Sequence, residues 1–85
     1  MNIQVERDDD GILAVYVALK EGEVARTVEI AEGECYADED ERGNLLGVEM
    51  LAPGNLTLSI AQISEHYTDP AVRFALDQVL DTVKV

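Results

Sequence analysis

Tryptophan is missing from this chain, phenylalanine occurs once and tyrosine three times. A core without large rings must be assembled from valine, leucine, isoleucine and alanine, each of which brings a modest apolar area. At 85 residues the chain is one small domain, near the size at which a single core barely offsets the entropy of folding. Association that completes such a core is expected, with a homodimer as the assembly.

Basic residues are scarce as well. Six Lys and Arg stand against eighteen Asp and Glu, a net charge of −12. Arg7, Lys20, Arg26, Arg42, Arg73 and Lys84 are scattered and form no patch. This balance repels a phosphate backbone and an anionic lipid surface, so neither nucleic acid nor membrane is an expected partner. A basic protein partner fits the charge, and so does solubility alone.

Cys35 is the single cysteine. It excludes an internal disulfide and suits a reducing compartment. Cys35 and His66 are the lone thiol and imidazole; they are too few soft ligands for a zinc site, and a cysteine inside a strand is ordinarily a small core residue. The apolar run Ile12–Leu19 falls well short of the ~20 residues that span a bilayer. The opening residues lack the basic stretch and apolar centre of a signal peptide, and the expected location is the cytoplasm. No phosphate-binding glycine loop, Ser-His-Asp set or nucleotide fingerprint occurs, so neither an enzyme nor a cofactor is expected.

Hydrophobic residues make up 47%, too many for a disordered acidic tail. Ile3 and Val5 alternate with Gln4 and Glu6, the period of a half-buried strand. Asp10-Gly11 suits a hairpin corner. In Ile12–Leu19, Leu13, Val15, Val17 and Leu19 fall on one face and Ile12, Ala14, Tyr16 and Ala18 on the other. Apolar residues on both faces predict a central strand covered twice, by the chain's own helices and by a second subunit. Strands are also expected over Val24–Ile30, Glu34–Asp38 and Leu45–Leu51, because turn residues recur between them at the spacing of an antiparallel meander. Pro53-Gly54 suits a type II turn.

Beyond that turn, Leu56, Leu58 and Ile60 alternate like a strand, while Ser59 and Gln62 fit a capping box; a short helix from about Ser59 to His66 is the reading adopted. A protonated His66 at its end would interact favourably with the helix dipole. Asp69 as N-cap and Pro70 at the first helical position open a final helix with Val72, Leu76, Val79, Leu80 and Val83 as its apolar stripe. The fold class is α+β: about five antiparallel strands within residues 1–51, then a turn and one or two helices within 52–85 that cover one face.

The stretch Asp38–Met50 admits several readings. Asp38, Asp40, Gly43 and Glu49 fall at the first, third, sixth and twelfth positions of a calcium loop. Arg42 sits where a ligand oxygen belongs, and the flanks lack helical periodicity. A hairpin asks for less: Gly43 supplies positive φ, Leu46, Val48 and Met50 point one way, and Leu45, Gly47, Glu49 and Leu51 point the other. Glu49 then lies on a mostly apolar face and needs a partner, for which Arg26 is one candidate.

Ala14-Val15-Tyr16-Val17, Thr27–Ile30 and Asp38-x-Asp40 leading to Gly43 and Gly47-Val48-Glu49-Met50-Leu51 resemble the short bacterial, archaeal and phage proteins grouped as domain of unknown function two-two-eight-three. The resemblance covers about residues 3–51. Leu13 and Arg42 depart from the family's pattern, which has an acid at the first and an acid or small residue at the second. What it implies is a small β-rich fold with no assigned activity and no catalytic residues.

Two functions follow as expectations. One is a protein-interaction module that binds a basic protein, in the manner of an antitoxin masking a nuclease-like partner, with Tyr16, Gly43, Gly47 and Glu49 as structural or contact residues. The other is divalent-cation or small-ligand binding through Asp38, Asp40 and Glu49.

Overall fold

A computed structural model describes residues 1–51 and 54–83. Five strands, β1 (Asn2–Asp8), β2 (Gly11–Ala18), β3 (Arg26–Ala31), β4 (Cys35–Glu39) and β5 (Leu45–Leu51), precede two helices, α1 (Leu56–His66) and α2 (Pro70–Val83). All neighbouring strands are antiparallel, and the fold is the α+β arrangement that the sequence predicts. The strand order is β1-β2-β5-β4-β3. Two hairpin units are thus joined by pairing β2 with β5, and β3 lies at the far edge. The connection after β2 crosses the end of β5, where the Leu46 carbonyl accepts from the Leu19 and Lys20 amides at 2.8 and 3.1 Å.

One face of the sheet is packed. Val15 and Val17 of β2, Cys35 and Ala37 of β4, and Val48 and Met50 of β5 are fully buried beneath Ile60 and Ile63 of α1 and Leu76 and Val79 of α2. Cys35 is therefore the small core residue that its sequence setting predicts, and burial pushes its thiol up to about 11. On α2, Val72 and Leu80 flank the buried stripe, and Arg73, Asp77 and Asp81 face outward. Asp69 caps the helix by accepting from the Ala71 amide at 3.0 Å, as expected.

Three details differ from the sequence reading, each for a local reason. Helix α1 begins at Leu56 and not at Ser59, because the Asn55 side chain accepts from the Leu58 amide at 3.0 Å and is the N-cap; Ser59 is a buried residue inside the helix. In β2, Glu6 pairs with Ala14 but Arg7 with Ile12. Leu13 is the extra residue of a bulge and stands exposed, while Ile12 packs on the core. In β5, Asp38 pairs with Gly47 but Glu39 with Leu45, so Leu45 joins the core under the helices while Leu46 is buried apart from it, next to Gly22. The expected turn at Pro53-Gly54 includes positions 52 and 53, outside the described residues. Among the described residues no helix is long and apolar enough to cross a membrane.

Candidate functional site: the open face of the sheet

The helices cover one face of the sheet and leave the other open. Strand register arranges that open face in rows. One row runs across all five strands as Gln4, Tyr16, Glu49, Tyr36 and Glu29. Beside it lies Asn2, Ala18, Gly47, Asp38 and Thr27, and on the other side Glu6, Ala14 and Leu51. These rows hold four carboxylates and no Lys or Arg.

Tyr16 is the fixed point of this face. Its hydroxyl donates to Asp38 Oδ2 at 3.1 Å, and Thr27 Oγ1 donates to Asp38 Oδ1 at 2.8 Å. Burial, then the bond to Asp38, push the Tyr16 hydroxyl pKa up, so it remains a donor across the physiological range. Gly47 makes this possible: a β-carbon there would lie 2.7 Å from the Tyr16 hydroxyl oxygen and 3.0 Å from the Val17 carbonyl oxygen. The phenol therefore lies down across the sheet, over the residue that has no side chain.

Glu49 sits between the two tyrosines in register, half-buried. Among the described residues its carboxylate has no hydrogen bond or ion pair. Arg26, suggested as its partner, is engaged elsewhere. It donates to Glu39 Oε1 at 3.0 Å and to the carbonyls of Asp40 and Glu41 at 3.2 and 3.3 Å. The reason is register, since Arg26 pairs directly with Glu39 across β3 and β4.

Asp40 belongs to the turn and not to the face. Its carboxylate accepts from the Arg42 and Asn44 amides, both at 2.9 Å, and from Asn44 Nδ2 at 3.0 Å. These bonds, the Asn44 side chain first, hold its pKa below the ordinary aspartate range. Gly43, at φ 83°, supplies the left-handed corner that the sequence predicts. Asp38 to Glu49 is thus a β-hairpin and not a helix-flanked loop. Asp38 and Glu49 share a sheet face, Asp40 is spent on the corner, and no group of three or more His, Cys, Asp or Glu placed to hold a metal ion occurs among the described residues.

A contact not foreseen from sequence ties α1 to the sheet. The Tyr67 hydroxyl donates to Glu39 Oε2 at 2.6 Å, opposite the Arg26 bond. The Tyr67 bond, then Arg26, draw the Glu39 pKa down, and burial followed by the same bond raises that of Tyr67. The lowered carboxyl contributes stability that is present above its unfolded value of about 4.3 and is lost as pH falls through the folded value. The raised phenol contributes stability that is present below about pH 10 and is lost as pH rises through its folded value. Glu39→Gln is therefore expected to lose less stability than the wild type between about pH 5 and about pH 3, read as urea midpoints. Parallel curves for the two proteins would show that the Glu39 contact contributes nothing.

Several depressions mark the surface, one of about 570 Å3 beside Tyr16 and Ala18 with Lys20, Gly22 and Leu46 also in its lining. A cleft of about 470 Å3 opens between the start of α2 and the β4–β5 turn, with Leu19, Lys20, Leu45, His66 and Val72 among its lining. Of the sequence-predicted site residues it includes only Gly43. A hollow of about 340 Å3 lies on the open face itself and is lined by Gln4, Glu6, Ala14, Tyr16 and Glu49. It contains two of the predicted residues, Tyr16 and Glu49; Gln4 and Glu6 carry no signal of it in the sequence, because only strand register brings β1 beside Tyr16 and Ala14. No family model matches this chain, and comparison with curated proteins and with solved structures gives no match either.

Proposed function

We propose that this protein is a non-catalytic interaction module that docks a basic segment of another protein on the open face of its sheet. The observation that carries the reading is the composition of that face. Glu6, Glu29, Asp38 and Glu49 share it with Tyr16 and Tyr36, and no base is present in its rows. Tyrosines supply rigid amphipathic contact area at small entropic cost, and the one-signed charge steers a cationic partner to them. Basic surfaces of this kind belong above all to proteins that contact nucleic acid, so occupying one would mask it, as an antitoxin-like protein does.

The same charge argues against a homodimer through this face. Two copies laid face to face would set four carboxylates against four, and like charges brought together at an interface are costly. The bulge at Leu13 weakens the dimer argument further, because it turns Ile12 into the core and leaves β2 with Ala14, Tyr16 and Ala18 outside. The resemblance of residues 3–51 to a family without assigned activity adds no competing function.

The test is a titration of the isotopically labelled protein with a synthetic decapeptide of alternating arginine and serine, followed by amide shifts. Shifts are expected along β2, β4 and β5, with affinity falling at least ~10-fold between about 20 mM and about 300 mM salt. Absence of binding, or shifts confined to α1 and α2, would overturn the proposal. Light scattering with and without the peptide supplies the second arm: any self-association of the protein is expected to leave the open face free and to be unchanged by the peptide.

A further inference from the structure

We infer that the hollow above Ala14 is the anchor pocket of this face and that the side chain it receives is arginine. The inference rests on the docking reading above and adds to it a defined pocket and a defined residue.

The hollow follows from three placements. Ala14 leaves a floor of one methyl group between Glu6 of β1 and Leu51 of β5. Tyr16, two residues along the same strand, is drawn toward Asp38 and Gly47. Its phenol is thereby held as a wall and does not fill the space. Gln4 and Glu49 stand on either side of Tyr16 in register. The result is a pocket of about 340 Å3 with an apolar floor, an aromatic wall, a carboxylate on each flank and an amide at one end.

The four acids of the face are not equivalent. Asp38 already accepts from Tyr16 and Thr27, and Glu29 lies on the edge strand β3, outside the hollow. Glu6 and Glu49 line it, and among the described residues neither carboxylate has a hydrogen-bond partner.

A guanidinium matches this set better than an ammonium. It is planar, carries five donors for carboxylates on two sides, and stacks on a phenol ring. Its aliphatic stem can lie on the Ala14 methyl group. A lysine would bring one point charge and no plane to stack.

The test compares three decapeptides in which a single central arginine is kept, replaced by lysine, or replaced by neutral citrulline, against a constant background of lysine and serine. Arginine is expected to bind the wild type at least ~5-fold more tightly than lysine and at least ~20-fold more tightly than citrulline. Ala14→Leu, which fills the hollow without changing charge, is expected to abolish the preference for arginine. Glu49→Gln is expected to weaken arginine binding far more than Glu29→Gln, which removes the same charge from the same face.

Equal losses in the two glutamine variants, or an unchanged arginine preference in Ala14→Leu, would overturn the pocket while leaving the docking face standing. Failure of every peptide to bind would overturn the docking face itself. Amide spectra of the free variants confirm the fold in each case.

Discussion

Gly47→Val is expected to destabilise the protein by about 2 kcal/mol, the usual cost of forcing extra atoms into a closed site. For a domain of this size that corresponds to a fall in melting temperature of roughly 10 °C. Glycine inside a strand is ordinarily a weakness, and valine ordinarily a gain. Here the sign reverses, because a β-carbon would sit 2.7 Å from the Tyr16 hydroxyl oxygen and 3.0 Å from the Val17 carbonyl oxygen. The phenol would have to leave Asp38, and the backbone oxygen has little room to yield.

A double-mutant cycle separates these contributions. In a Tyr16→Ala background the cost of Gly47→Val is expected to shrink by about half, because the ring no longer competes for the space. What persists belongs to the Val17 carbonyl. If Gly47→Val proves neutral or stabilising by thermal unfolding, the phenol does not lie where the open-face argument requires it, and the hollow above Ala14 loses its wall.

How far the sequence could be read depended on whether a signal was local. Asp69 and Pro70 announce α2 by the chemistry of a helix start, and Gly43 announces its corner by the one conformation that favours it; neither needs knowledge of distant residues. Strand phase is different. Alternation fails wherever both neighbours are apolar, as with Ile12-Leu13 and Leu45-Leu46, and there a bulge decides which one packs with the cluster beneath the helices.

Partners across the sheet were the least legible. That Arg26 meets Glu39 and not Glu49 depends on β3 pairing with β4 in one register. That Gln4 and Glu6 stand beside Tyr16 and Ala14 depends on β1 in the same way. The cap of α1 had a readable signal in Asn55, which the competing Ser59–Gln62 pattern obscured.

Met50→Ala should be among the most damaging truncations of the core, at about 3 kcal/mol. Met50 is fully buried on β5, with Val15 of β2 on one side and Cys35 of β4 on the other. It thus lies on the strand that joins the two hairpin units. A chain of 85 residues has a stability of roughly 4 to 13 kcal/mol, so the loss removes a large fraction of it. Val15 and Cys35, its register neighbours, are short side chains on paired strands and fill little of the space that the thioether leaves. Phe74→Ala removes a larger side chain, yet Phe74 is 68% exposed on α2, and its expected cost is within about 0.5 kcal/mol. Urea unfolding of the two variants side by side distinguishes burial from size as the source of stability. Equal shifts of the two midpoints would mean that Phe74 is covered in solution by another molecule, and that the helical side of the protein is an interface.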